Sequence, residues 1–416
     1  MVDTFLIILS LAALLCIIFE EVIHINKAKT TLFFGCFSWL CLYAQASGVE
    51  GQEHINEALN ENLLEIATLW LFLMSTMTFV AYLNAKGMIQ NVVRRVFPSQ
   101  MSARALLFQV ALFALILSSI CDNVTATLVS LGLIQAFNLD VKSKLKMAAL
   151  VVFAVNSGGV ALITGDVTTL MIFLDGHVTM SQLLMLLVPS AIGVIVLALL
   201  FSVNMSGQIA LEPVKESFRG VDVVIAAVFF GTILSTMLLN FLFSVPPVLT
   251  FLFGLSIMFL VGALSHINQD EIQILEYIRQ VEYDTLLFFL GILLLVGMLK
   301  EIGVLDTLAH FYAQFDPSVS NFAAGAFSSL LDNVPLTAAL LKAEPGLATP
   351  EWLGLTYAVG VGGSLLAIGS AAGILAMSKV KELTFVSYLR YLPALLVAYS
   401  AGYIVTVWLA HTVIAS

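Results

Sequence analysis

Ten apolar runs, each long enough to cross a bilayer as a helix, confine this chain to a membrane. They lie at about 4–23, 30–47, 65–85, 147–174, 183–203, 221–243, 247–265, 283–300, 352–378 and 386–411. Little remains between them for a soluble domain. Only 11% of the residues are charged and 60% are hydrophobic, whereas soluble domains carry about 25% charged residues. The expected class is an all-α polytopic membrane protein whose first partner is membrane lipid. The first run has Asp3 ahead of it and no positive flank, so it is expected to stay as a span and not to be cleaved as a signal peptide.

Two further apolar stretches, 103–137 and 320–343, are each interrupted by an Asp-Asn pair: "CDNVTATL" at Cys121–Leu128 and "LDNVPLTA" at Leu331–Ala338. A helix that reaches mid-membrane, breaks and returns is a re-entrant hairpin. Its non-helical backbone is tolerated where it is buried in protein or lines an aqueous cavity. With both stretches returning to the side they entered, one side collects every Lys and Arg except Lys300 and Lys342. That side is cytoplasmic by the positive-inside rule, and both termini lie outside, periplasmic in a bacterium. The segment "SGVEGQEHINEALNENLLE" holds no Lys or Arg and falls outside as a loop.

The two halves of the chain then align. "EIATLWLFLMSTMTFVAYLNAKG" from Glu65 matches "EYDTLLFFLGILLLVGMLKEIG" from Glu282, and "NSGGVALITGDVTTL" from Asn156 matches "GVGGSLLAIGSAAGI" from Gly360. Each half holds five spans and one hairpin. Five is odd, so the halves are inverted repeats, the architecture of secondary transporters. The first repeat covers 1–203, with its hairpin at about 103–137 and a broken helix at 147–174. A cytoplasmic linker follows at 204–220. The second repeat covers 221–416, with its hairpin at about 320–343 and a broken helix at 352–378. The segment His266–Gln280 is expected to be an interfacial amphipathic helix on the cytoplasmic face.

The candidate site follows from what apolar sequence tolerates. Asp122 and Asp332 can cap the returning helices, but a carboxylate in the bilayer must be paired, solvated or protonated. Asn123 and Asn333 offer amide oxygens; Thr125, Thr127 and Thr337 offer hydroxyls. Gly158–Gly159 and Gly362–Gly363 are expected to break their spans, since helix costs about 1 kcal/mol per Gly relative to Ala. Unwound backbone frees carbonyls for hard cations. Asp166 stands in the first broken span where the second has Ser370, and Thr168 and Thr169 stand where the second has Ala372 and Gly373. Asn156, Ser157 and Ser364 complete an oxygen-only set. The expected ion-exchanging pair is Asp122 with Asp166, and Asp332 is expected to orient the second tip. The acids at span ends, Asp222 and Asp284 among them, are expected to reach water.

"CDNVTATL", "NSGGVALITGDVTTLM", "LDNVPLTAAL" and "VGGSLLAIGSAAG" resemble the motifs of NhaD-type sodium/proton antiporters of the ion transporter superfamily. The resemblance runs over most of the chain. It implies a two-hairpin inverted-repeat fold, a homodimer in a bacterial inner membrane, and an ion and proton site of Asp122, Asn123, Asn156, Asp166, Thr168, Thr169, Ser328, Asn333 and either Ser364 or Ser370. The transported ions would be Na+ or Li+ against H+, with no cofactor.

Other functions fit less well. A dicarboxylate transporter would repel its substrate with three aspartates. An arsenite exporter could use Cys121 as a soft ligand, but one cysteine is a poor arsenic site. The four cysteines, Cys16, Cys36, Cys41 and Cys121, show no CxxC spacing and fall in apolar runs, which argues against a zinc site. No basic patch suggests nucleic acid. The fragments Tyr283–Asp284, Gly165–Asp166 and Pro393–Ala394–Leu395 echo intramembrane aspartyl proteases, but their order is wrong and Ile163 stands where that motif needs Gly. No enzyme activity is expected.

Overall fold

The computed structural model describes residues 2–18, 23, 25–46, 48–88, 100–135, 137, 139–203, 205, 208–210, 220–265, 275–279, 281 and 283–413. The chain is an integral membrane protein built almost wholly of helices. The first part comprises α1 (Val2–Ile18), α2 (Lys27–Gln45), α3 (Gly48–Ala85), β1 (Gln100–Ser102), α4 (Ala103–Ile120), α5 (Asn123–Gln135), α6 (Val141–Gly159), α7 (Val167–Leu174), α8 (Met180–Met185), α9 (Leu187–Ser202) and β2 (Gln208–Ala210). The remainder comprises α10 (Gly220–Phe243), α11 (Pro247–Ser265), α12 (Leu275–Ile278), α13 (Tyr283–Glu301), α14 (Val304–Ala313), α15 (Pro317–Leu331), α16 (Asn333–Ala343), α17 (Thr349–Gly362), α18 (Ala371–Lys379), α19 (Phe385–Leu389) and α20 (Leu392–Val413).

Seven helices among the described residues are long and apolar enough to span: α3, α4, α8 with α9, α10, α11, α13 and α20. The runs at 147–174 and 352–378 are interrupted, each by a non-helical stretch after a glycine pair. The stretches at 103–137 and 320–343 are interrupted at their Asp-Asn pairs. The first arm at 103–120 is itself long enough to span. The segment 204–220 lies outside the described residues except for Met205, β2 and Gly220. Three-residue strand β2 pairs antiparallel with β1, Met101 opposite Ile209, a small addition to an otherwise helical chain. Of the segment His266–Gln280, residues 266–274 and 280 lie outside the described set, and α12 packs on α3.

Two expectations are corrected. The lysine-free outer segment is helical: α3 runs 38 residues without interruption. At about 1.5 Å per residue it is about 57 Å long, nearly twice the roughly 30 Å apolar thickness of a bilayer. Asp222 does not reach water; it is buried, and Tyr82 donates to its Oδ1 at 2.7 Å. Lys300 and Lys342, the two basic residues outside the cytoplasmic set, are paired with Glu344 at 3.4 Å and Glu65 at 2.5 Å.

Helix starts follow local chemistry. Asn26 caps α2, Ser102 caps α4 and Asp140 caps α6. Thr179 and Thr384 close capping boxes on α8 and α19, each a short helix leading into a long one. The broken helices sit in the middle of the packing: α6 touches α4, α5 and α9, while α17 touches α15, α16 and α20. Contacts between α7 and α16, and between α18 and α5, join the two halves at the breaks.

Candidate functional site

At the first tip Asp122 is tied to its own helix. Its Oδ1 accepts from the Thr125 backbone at 2.9 Å and its Oδ2 accepts from the Thr125 hydroxyl at 2.9 Å. Ser118 donates to Asn123 Oδ1 at 2.7 Å. Thr127 donates to the Asn123 carbonyl at 2.6 Å and Thr337 to the Asn333 carbonyl at 2.8 Å, so both hydroxyls are spent on their own helices.

The second tip is built differently. Asp332 makes no capping bond, and its φ is +75° with ψ 143°. Such a conformation costs on the order of 1–3 kcal/mol for a residue with a side chain. The cause is one position: where the first tip reads Asp-Asn-Val-Thr, the second reads Asp-Asn-Val-Pro. Pro335 has neither an N–H nor a hydroxyl to offer. The Asp332 carboxylate pairs instead with Lys27, Oδ2 to Nζ 2.9 Å.

The first broken span supplies the acid. After Gly159 the chain turns through residues 160–165 and restarts at Asp166, which caps α7 by accepting from the Thr168 backbone at 3.3 Å. The other carboxylate oxygen of Asp166 accepts from Asn333 Nδ2 at 3.1 Å. The break is stitched to the first helix pair: Ser119 donates to the Gly158 carbonyl at 2.9 Å and Thr164 to the Ser119 carbonyl at 3.0 Å.

In the second broken span Ser370 takes the position of Asp166, capping α18 through the Gly373 N–H at 3.4 Å. Asn156 Nδ2 donates to Ser370 Oγ at 3.1 Å and to the Val152 carbonyl at 2.8 Å. Ser364 donates to the Val361 carbonyl at 2.6 Å, and Ser328 to the Val359 carbonyl at 2.9 Å. These two hydroxyls hold the break. Ser370, not Ser364, faces the other half.

A cavity of about 300 Å³ meets these elements. Asp122, Asn123, Asp166, Asp332, Asn333 and Ser370 line it. It extends to the N-terminal ends of α2 and α13, where Asn26, Lys27 and Asp284 complete the wall, and Asn26 donates to Asp284 Oδ2 at 2.8 Å. Asn156, Ser157, Thr168 and Thr169 are fully buried beside the first break. Each carries a side-chain oxygen with no hydrogen-bond partner: Asn156 Oδ1, Ser157 Oγ, Thr168 Oγ1 and Thr169 Oγ1. At the second break the matching positions are Gly360, Val361, Ala372 and Gly373, which carry no side-chain oxygen, and the hydroxyls present, Ser364 and Ser370, are bonded. Buried polar atoms are rarely left unpaired, and here four fall on the two helix ends that flank one break.

Sequence reasoning did not anticipate Lys27, Asn26 or Asp284 in this wall. Lys27 and Asp332 are brought together across 305 positions, which no local pattern can signal. One hint was present: an ammonium in the first turn of a helix opposes the helix dipole and calls for a nearby acid. Cys121 is buried and, although next to Asp122 in the chain, lines a separate apolar crevice with Phe113, Leu117 and Phe229 and not the aspartate cavity.

A family profile described as citrate transporter matches residues 13–360. The chain is 29% identical to the Na+/H+ antiporter NhaD of Vibrio cholerae serotype O1, over 95% of this chain and 89% of that one. It is 30% identical to the Na+/H+ antiporter NhaD of Vibrio parahaemolyticus, over 90% of this chain and 98% of that one. Sodium/proton antiporter 2 of Arabidopsis thaliana is 28% identical, over 90% and 91%.

Proposed function

The chain belongs to the NhaD-type Na+/H+ antiporters, within the family described as citrate transporters, and we propose on that premise that it exchanges cytoplasmic Na+ or Li+ for external protons at the first broken span. The observation that carries this reading is the group of four buried, unpartnered oxygens on the helix ends that flank the break before Asp166. Neutral hydroxyl and amide oxygens with one carboxylate make a hard-cation site. Protonation of Asp166 removes the charge such a site needs, so proton and cation compete for it and take turns. Asp122 and Asn123 face the same cavity from the first tip, and Asn333 holds the acid from the second.

The inverted-repeat reading draws support from construction that recurs at matching positions. An added Cβ at Gly158 or at Gly362 would fall 2.1 Å from a carbonyl oxygen, that of Leu115 or of Gly325. Both breaks restart at a capping side chain, and both are followed by a capping box. The tips then form re-entrant hairpins, and the cavity runs from the buried acid toward the side predicted to be cytoplasmic. On this reading both termini are periplasmic in an inner-membrane protein that pairs with a second copy. Single cysteines labelled from each side of the membrane check the topology: termini on opposite faces would end the two-hairpin arrangement.

A citrate-like anion would meet Asp122, Asp166, Asp284 and Asp332 in this cavity, against one lining ammonium already paired with Asp332. Arsenite would find its thiol in another crevice. The deciding experiment imposes a pH gradient on proteoliposomes and adds Na+, Li+, K+ or arsenite. Gradient dissipation by Na+ or Li+, unchanged in Cys121→Ser, is expected. Arsenite flux lost in Cys121→Ser, with no response to Na+, would replace this reading with an exporter.

A further inference from the structure

We propose that Lys27 is a built-in counter-cation: its ammonium neutralises Asp332 and keeps that carboxylate out of the ion exchange. The inference rests on the antiport reading and adds a residue to it.

Asp332 and Asn333 are consecutive, and they hold two different partners. The first accepts from Lys27 Nζ at 2.9 Å; the second donates to Asp166 Oδ2 at 3.1 Å. The grip of Lys27 on the tip is therefore one residue removed from the acid that carries exchange. Pro335 leaves the Asp332 carboxylate free of the capping that occupies Asp122, so it can turn to the ammonium. Lys27 Nζ also lies 4.5 Å from the centroid of the Phe288 ring, a cation–π contact that fixes its position. The side chains of Lys27 and Asp332 are 22% and 13% exposed, so the pair is weakly screened compared with a surface bridge.

Charge at this spot bears on cation affinity. The cavity wall carries Asp122, Asp166, Asp284 and Asp332, with Lys27 as the lining cation. Without the ammonium, Asp332 would offer a further carboxylate to any cation that enters. Without Asp332, the ammonium would stay in the route and repel it. Lys27 also begins α2, which packs on α13, while Asp332 immediately precedes α16. The bridge therefore ties the second tip to a different helix pair.

The test is a charge cycle in proteoliposomes, reading Na+-driven proton flux as KM and maximal rate for wild type, Lys27→Gln, Lys27→Arg, Asp332→Asn and the double variant Lys27→Gln/Asp332→Asn. Lys27→Gln is expected to lower the Na+ KM by about threefold or more with a slower maximal rate, because the ion is held too well. Asp332→Asn is expected to raise KM by a similar factor. The neutral double variant should return KM to within about twofold of wild type, and Lys27→Arg should move it less than Lys27→Gln. A bridge that merely braces the fold would move the two single variants in the same direction, with no recovery in the double. That result, or unchanged KM in all variants, overturns the inference while leaving antiport standing. A wild type that moves no protons with Na+ or Li+ removes the antiport reading and this inference with it.

Discussion

Asp166→Asn is expected to abolish Na+-driven proton movement at every pH while the protein still folds. Asn keeps the shape of the side chain and is as good a helix cap as Asp. Its Oδ1 can go on accepting from Thr168 N, the bond at 3.3 Å that starts α7. Its amide would face Asn333 Nδ2, now 3.1 Å from a carboxylate oxygen, and Asn333 can turn its own oxygen to meet it. What is lost is the charge and the titrating proton. Flux should fall to that of protein-free vesicles across a pH series, with an unchanged size-exclusion profile in detergent. Asp166→Glu restores the charge but displaces it by one methylene, so partial exchange with altered cation affinity is expected. Thr169→Val belongs to the same series. It removes a buried unpaired oxygen, whose burial costs about 1–3 kcal/mol, so the variant should be at least as heat-stable as wild type and yet bind Na+ more weakly. Full exchange by well-folded Asp166→Asn would remove this residue from the mechanism.

The breaks in the helices were legible because their causes are local. An Asp-Asn pair or a glycine pair inside an apolar run has few structural outcomes, and the four interruptions fall at those residues. The helical character of residues 48–64 was not legible, because hydropathy reports burial and not helicity. That segment is rich in Glu and Leu, both good helix formers, and it extends the helix beyond the apolar run. The burial of Asp222 depends on Tyr82, 140 positions away. The asymmetry of the tips was written in the sequence all the same. Thr125 and Pro335 occupy the same place after the acid, and Pro cannot supply the bonds that Thr does. Matching the two motifs by their shared Asp-Asn-Val hid the one position that decides where each carboxylate points.

The second large effect is expected from glycine. At Gly158 an added Cβ would sit 2.1 Å from the Leu115 carbonyl oxygen, and at Gly362 it would sit 2.1 Å from that of Gly325. Both obstacles are backbone, so neither can step aside as a flexible side chain would. Gly158→Ala must push α6 away from α4, and Gly362→Ala must push α17 away from α15. Such overpacking costs about 1–3 kcal/mol and sometimes more. The damage also reaches the site, since Ser119 bonds the Gly158 carbonyl and Thr164 bonds Ser119. Both variants are expected to lower the thermal midpoint in detergent and to lose exchange. Gly159→Ala separates the two effects: its Cβ would meet Asn123 Oδ1 at 2.7 Å, the far end of a side chain, and Asp166 Cβ at 3.1 Å. That variant should lose exchange with a smaller drop in midpoint, because the group displaced lines the cavity. Gly132 lies in α5 with nothing within 4 Å of an added Cβ. Gly132→Ala should gain up to about 1 kcal/mol in helix propensity. Thermal unfolding of the four variants, paired with flux, orders them. A Gly158→Ala protein with the midpoint of wild type would mean that α4 and α6 do not meet at Leu115, and the geometry of the first break would have to be redrawn.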